Sequence, residues 1–167
     1  MTADEIRQYL TELNDELRLM DIKGEVSLYG GAVMCLAFKA RPATRDVDAI
    51  FEPVKEIRKA AGRIAERHNL DIDWLNLAVK MFLVQHERQV LLDLPHLKVM
   101  VPEPDYLLAM KILAFRPDSL DTEDVQFLIR HLELTSVDAV LDIVSSYYPD
   151  KVVKPETRFR LEELLSK

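Results

Sequence analysis

Two acids set two positions apart, in the run Asp46-Val47-Asp48-Ala49-Ile50-Phe51, are the residues best able to do chemistry. The run reads as a strand, and residues two apart in a strand share a face. Asp46 and Asp48 then project side by side, about 7 Å apart, while Val47, Ala49 and Phe51 face the core. Carboxylates so placed repel each other unless a cation stands between them. Hard oxygen donors of this kind suit Mg²⁺, which uses one or two carboxylates and completes its shell with water and substrate phosphates. A plainer reading also stands: both acids could be solvent-facing residues of an edge strand.

Upstream, Val26 to Tyr29 reads as a short buried strand, followed at once by Gly30-Gly31 and by an apolar helix from Ala32 to Phe38. Strand, Gly-Gly, helix, then Asp-x-Asp on the next strand resembles the signature of the nucleotidyltransferase fold, the polymerase-β-like superfamily. Further along, a helix from Tyr106 to Phe115 carrying Lys111, then Asp121-x-x-Asp124, is similar to bacterial AbiEii-type and related uncharacterised nucleotidyltransferase-like proteins. The resemblance runs from Glu25 to Leu132.

It implies an α+β fold, a small mixed sheet with flanking helices followed by a helical carboxyl-terminal part. It also implies a Mg²⁺-dependent enzyme, with Mn²⁺ as a substitute, that moves a nucleoside monophosphate from an NTP to a protein or RNA acceptor. Asp46 and Asp48 would hold the metal, and Gly30-Gly31 would let backbone N–H groups approach the phosphates. Arg45 and Lys111 would contact the nucleotide; Lys39 and Arg41 lie beside the same stretch. Asp73, on the next expected strand, would be the third carboxylate, with Asp71 and Asp93 as rivals. The setting implied is the toxin of a toxin–antitoxin or phage-defence pair, with a cognate antitoxin protein as partner. A catalytically degenerate protein that binds a nucleotide or another protein is the alternative. Where superfamily members often carry Gly-Ser, this chain has Gly31, so a hydroxyl contact to phosphate is lost.

Each residue also has a structural explanation. Gly30-Gly31 could be a tight strand-to-helix turn, and Arg45 an ion-pair partner for the acids. Asp121 and Asp124 suit a helix start by capping. Trp74 reads as a packing anchor. His68, His86, His96 and His131 show no metal-ligand spacing.

The elements that must position these residues follow from periodicity. Thr2 and Glu5 form a capping-box pattern, and Ile6, Leu10, Leu13 and Leu17 recur at helical spacing as far as about Asp21. Pro53 suits the first turn of a helix with Val54, Ile57, Ala61, Ile64 and Ala65 as its apolar stripe and Asn69 as its stop. Leu70 to Trp74 reads as a third strand, whereas Leu75 to Val84 suits either a helix or a buried strand. Gln89–Leu92 and Leu97–Val101 read as two strands joined by a turn. After Pro102 and Pro104 the pattern turns helical: Tyr106 to Ala114, Asp121 to about His131, a helix capped by Thr135 or Ser136, and one opened by Pro155. The expected division is residues 1–103 and 104–167.

Bulk properties narrow the classes. A chain of 167 residues, 49% hydrophobic and 31% charged, is long enough for a real core. A net charge of -7 argues against non-specific DNA or RNA binding through overall charge. The single cysteine, Cys35, excludes an internal disulfide and reads as a small core residue. No secretory leader pattern and no bilayer-length apolar run is present, so the expected compartment is the cytoplasm. The dinucleotide, P-loop and serine-hydrolase motifs are absent.

Overall fold

Helix α1 (Ala3–Leu19) begins where the capping box predicts. Thr2 Oγ1 accepts from the Glu5 backbone N–H at 3.2 Å, and the Glu5 carboxylate accepts from the Thr2 N–H at 3.0 Å. Its stripe Ile6, Leu10, Leu13 and Leu17 is wholly buried, and each such side chain contributes about 1.5–3 kcal/mol by leaving water. This computed structural model describes residues 1–116, 119 and 121–166. They form two compact units. The first contains Met1–Leu83 with Arg88–Pro102, the second Val84–Glu87 with Glu103 onward.

The first unit is built on five strands: β1 (Gly24–Tyr29), β2 (Val47–Glu52), β3 (Leu75–Asn76), β4 (Arg88–Asp93) and β5 (Leu97–Pro102). They make one mixed sheet in the order β3-β2-β1-β5-β4. β1 runs antiparallel to β2 and parallel to β5; β2 and β3 are parallel, and β4 and β5 form a hairpin. In β2 the expected alternation holds, with Val47, Ala49 and Phe51 buried and Asp48 and Ile50 partly exposed. The fold is α+β, a mixed sheet with flanking helices.

Two further helices complete this unit, α2 (Gly30–Leu36) and α3 (Val54–His68). Asn69 ends α3 in the left-handed conformation, φ 54°. α3 lies beside α1, and ion pairs tie the two together. Arg63 and Arg67 reach Glu16 at 3.0 and 2.7 Å, Arg67 also pairs with Glu12, and His68 Nε2 meets Glu12 at 2.7 Å. Burial works against the charge on Glu12 and Glu16, yet hydrogen bonds from Arg67, with His68 on Glu12 and Arg63 on Glu16, hold both carboxyls below their ordinary range.

One expected element is displaced. Residues 70–74 form a turn, not a strand: Trp74 N–H donates to the Asp71 carbonyl at 3.0 Å and Asp73 N–H to Asp71 Oδ1 at 3.4 Å. Short acids readily bond their own backbone in this way, which mimics strand alternation while favouring a turn. The buried Trp74 indole donates to the Ala61 carbonyl at 3.0 Å, anchoring the chain against α3. Only Leu75 and Asn76 then pair with β2, before a 3₁₀ turn at Ala78–Phe82.

The second unit contains α4 (Pro104–Leu113), α5 (Asp121–His131), α6 (Val137–Tyr147) and α7 (Pro155–Leu165). Proline opens α4 and α7, and Ser136 caps α6, its Oγ accepting from Ala139 N–H at 3.1 Å. α4 packs against both α5 and α6, and α7 against α6. Asp121 is the first helical residue of α5, and with Glu123 and Asp124 it supplies the negative first turn that a helix start favours. Residues 84–87 belong here because Tyr106 holds them. His86 stacks on its ring at 3.8 Å, and Val84 N–H donates to its hydroxyl at 3.1 Å. Burial and a hydrogen bond to Asp105 at 2.9 Å push the nearby Tyr147 phenol up to about 12. No helix among the described residues is long and apolar enough to cross a membrane.

Candidate active site

β1 ends at Tyr29, which pairs across the sheet with Asp48 of β2. The chain turns from strand to helix at the next two residues, and both are glycine for separate reasons. Gly30 has φ +61°, the left-handed region that costs other residues energy. A Cβ there would also stand 3.0 Å from Asp48 Oδ2. Gly31 is required by close approach, since its Cβ would lie 2.5 Å from Thr44 Oγ1 and 2.6 Å from Arg41 Nη1. The paired glycines thus fit the strand-to-helix turn against the Asp48 carboxylate and the loop that precedes β2.

That loop is itself tied down. Thr44 N–H donates to the Met1 carbonyl at 2.9 Å, Thr2 and Ala43 form an isolated bridge, and Thr44 Oγ1 donates to the Asp46 carbonyl at 3.2 Å. Asp46 lies one residue before the start of β2, not within it as the alternation predicts, and is partly exposed. Asp48, in the strand, is also partly exposed. On the other side of β2, the residue in register with Asp48 is Asn76 of β3.

The remaining expected site residues fall in different places. Asp73 and its rival Asp71 are exposed in the turn before β3. Asp73 lies in a turn and not on a strand for a physical reason: with Trp74 anchored to Ala61, β3 begins at Leu75, five residues after the start of the expected strand. Asp93 ends β4, three strands from β2. Its register runs through Lys98 and Glu25 to Glu52, at the end of β2 away from Asp48. Arg45 is exposed in the bend before Asp46, whereas the guanidinium against the glycine turn belongs to Arg41. Arg41 also lines, with Arg7 and Lys39, an open depression of about 650 Å³. Lys111 lies in the second unit, where its ammonium meets Asp124 Oδ2 at 2.7 Å with the two side chains 10% and 3% exposed. Cys35 and Trp74 are buried, as expected of core residues.

The donor chemistry can be tested against a divalent cation. Asp46 and Asp48 offer hard oxygen donors that solvent reaches, and the missing Cβ at Gly30 leaves room beside Asp48 Oδ2. This fits the one- or two-carboxylate holding of Mg²⁺. Among the described residues, no three His, Cys, Asp or Glu side chains gather where they could hold a metal. Asn76 and Arg41 were the residues hardest to place from sequence. The ambiguous apolar run around Asn76 gave no register, and three cations in seven residues gave no way to choose Arg41.

Residues 5–160 match the profile of a family described as nucleotidyltransferase of unknown function (DUF6036). No curated protein and no solved structure matches the chain.

Proposed function

The chain belongs to that nucleotidyltransferase family, and from this premise we propose that it transfers a nucleoside monophosphate from an NTP to a protein or RNA acceptor, with Mg²⁺ held by Asp46 and Asp48. The observation that carries this reading is the register of Tyr29 with Asp48, which brings a carboxylate against a turn made of two glycines. A phosphate chain suits such a place, where the residues of the turn itself put no side chain between the ligand and the backbone. When bound, the metal supplies electrostatic stabilisation of the charge that builds on the transferring phosphoryl group and the leaving pyrophosphate.

The residues of the chain have the remaining roles. In this reading the α- and β-phosphates approach the backbone of the Gly30-Gly31 turn, beside Arg41 and Asp48. Arg41, against Gly31, and Lys39 provide positive charge for the phosphate tail, with Arg45 at the exposed edge. In the reaction, a bond forms between the acceptor oxygen and the α-phosphorus as the bond to pyrophosphate breaks. The acceptor proton passes to solvent or a basic group of the acceptor. A toxin–antitoxin or phage-defence setting is supported only by the likeness of the Tyr106-to-Asp124 stretch to AbiEii-type proteins. Co-purification with the product of an adjacent gene tests it.

One observation favours a second reading, a degenerate member that binds nucleotide without transferring it: the strand position beside Asp48 carries an amide, Asn76, where a further acid would strengthen metal binding. Incubation with NTPs labelled at the α- or the γ-phosphate, in Mg²⁺ and with bacterial RNA and protein as acceptors, separates the two. Transfer predicts that α-label enters one acceptor pool and γ-label enters neither, with loss of labelling in Asp48→Asn. Nucleotide binding without any α-label transfer would favour the degenerate reading.

A further inference from the structure

We infer that the depression lined by Arg7, Lys39 and Arg41 takes the terminal phosphate of the nucleotide, and that Arg7 of α1 makes the site select triphosphates over diphosphates. The inference rests on the nucleotidyl-transfer reading above and adds to it a residue from α1.

Arg41 is the link between the two places. Its Nη1 would stand 2.6 Å from a Cβ at Gly31, so its guanidinium lies against the glycine turn, and the same residue lines the depression. From there the space leads away along α2. Cys35 and Leu36, which form part of its wall, come four and five residues after Gly31, about 6–8 Å further along the helix axis. With the α- and β-phosphates at the turn, the next phosphate of the chain passes Arg41 into this space. Its volume of about 650 Å³ lies within the range of small-ligand sites.

The charges of the depression suit that occupant. In a chain of net charge -7 the overall field repels anions, so a polyphosphate tail needs a local cluster of cations. Arg7, Lys39 and Arg41 bring three positive charges against the Asp4 carboxylate. Arg41 has interactions of its own and serves as the wall shared with the turn. Arg7 and Lys39 differ from it. Among the described residues, neither the Arg7 guanidinium nor the Lys39 ammonium has an ion-pair or hydrogen-bond partner. Arg63 and Arg67, by contrast, are tied to Glu16.

Lys39 carries a second mark. Its φ is 53°, in the left-handed region, and the following N–H, from Ala40, donates to the Met34 carbonyl at 2.9 Å as α2 ends. Glycine is the usual residue where a helix stops in this way. A lysine there costs backbone strain and keeps a cation on the depression.

Isothermal titration at low salt tests the inference on wild type, Arg7→Ala, Lys39→Gly and Asp4→Asn. The probes are ATP and ADP with Mg²⁺, and inorganic pyrophosphate in EDTA. The wild type is expected to bind ATP about tenfold more tightly than ADP. Arg7→Ala is expected to leave ADP unchanged and to bind ATP no better than ADP. Pyrophosphate should bind the wild type without metal, less tightly in Arg7→Ala and more tightly in Asp4→Asn. Lys39→Gly should raise the melting temperature yet weaken pyrophosphate, two opposite changes that a merely structural lysine does not give. Equal affinity of the wild type for ATP and ADP, or an equal loss of both in Arg7→Ala, would overturn the inference while leaving the metal reading intact. Pyrophosphate binding indifferent to Arg7→Ala and Asp4→Asn would do the same. No binding of either nucleotide would overturn both.

Discussion

Lys111 and Asp124 meet at 2.7 Å with side chains 10% and 3% exposed, whereas Asp46 and Asp48 are partly exposed, Asp48 against a turn of two glycines. Lys111 and Asp124 are therefore closed off from water, whereas Asp46 and Asp48 stand where solvent reaches them. A buried pair has lost its hydration, and each member is held by the other, so neither can be released without a large desolvation cost. Carboxylates in contact with solvent keep their water and can exchange it for a cation. The sequence makes the two acid pairs look alike, Asp-x-Asp on one side and Asp-x-x-Asp on the other. Burial separates Asp124, closed on Lys111, from Asp46 and Asp48: the proposed chemistry falls to the partly exposed acids and stability to the Lys111–Asp124 pair.

The sharpest way to break this contrast is Asp48→Asn. It is expected to lower transfer activity by about 10³-fold, roughly 4 kcal/mol in the barrier, with little change in melting temperature. Unfolding of this variant would make Asp48 structural and collapse the comparison. Replacing Lys111 by Met should do the reverse. Leaving Asp124 buried without its counter-charge is expected to cost about 3–5 kcal/mol by denaturant titration, and adding Asp124→Leu should recover most of it. If Lys111→Met unfolds no more easily than wild type, the pair is not structural, and Lys111 becomes available to the nucleotide.

Smaller effects sharpen the picture of the turn. Gly31→Ala forces a Cβ against Thr44 and Arg41 and is expected to cost about 1–3 kcal/mol; Gly30→Ala, strained at φ +61°, about 1–2 kcal/mol. Both should weaken NTP binding by more than they lower stability, as judged by isothermal titration beside thermal melts. An equal loss in the two measurements would make the glycines purely architectural.

The smallest effect concerns the α1–α3 ion pairs. Glu12 and Glu16 have folded-state pKa values below their unfolded ones. Their stabilisation is therefore fully present above the ordinary carboxylate range and is lost as pH falls through the lowered folded values. Arg63 and Arg67 are about half exposed, so solvent screening holds the effect to about 1 kcal/mol. Glu16→Gln should flatten the acid limb of a melting-temperature profile; an unchanged limb would show that Glu16 contributes nothing to it.

Much of the scaffold was legible because local and global signals agree. The Thr2–Glu5 capping box, the α1 stripe and the Asn69 stop are each set by nearby residues, and the glycine turn with Asp48 on the following strand is a short-range pattern. What was not legible depends on distant contacts. The alternation of Asp71, Ile72 and Asp73 imitates a strand, but Trp74 donating to Ala61 moves the pairing downstream and puts Asn76, not Asp73, beside Asp48. The assignment of residues 84–87 to the second unit likewise comes from His86 stacking on Tyr106, twenty positions on. Periodicity carries no trace of either contact.

The central claim is that Asp48 and the glycine turn form a metal–nucleotide site, and a thermal-shift titration tests it most directly. Each NTP is added with and without Mg²⁺ to wild type, Asp46→Asn and Asp48→Asn, since a ligand that binds only the folded state must raise the melting temperature. Stabilisation of the wild type is expected to require Mg²⁺ and to disappear in Asp48→Asn, with Asp46→Asn weakened. Stabilisation indifferent to Mg²⁺ and to both substitutions, or none with any nucleotide, would contradict it.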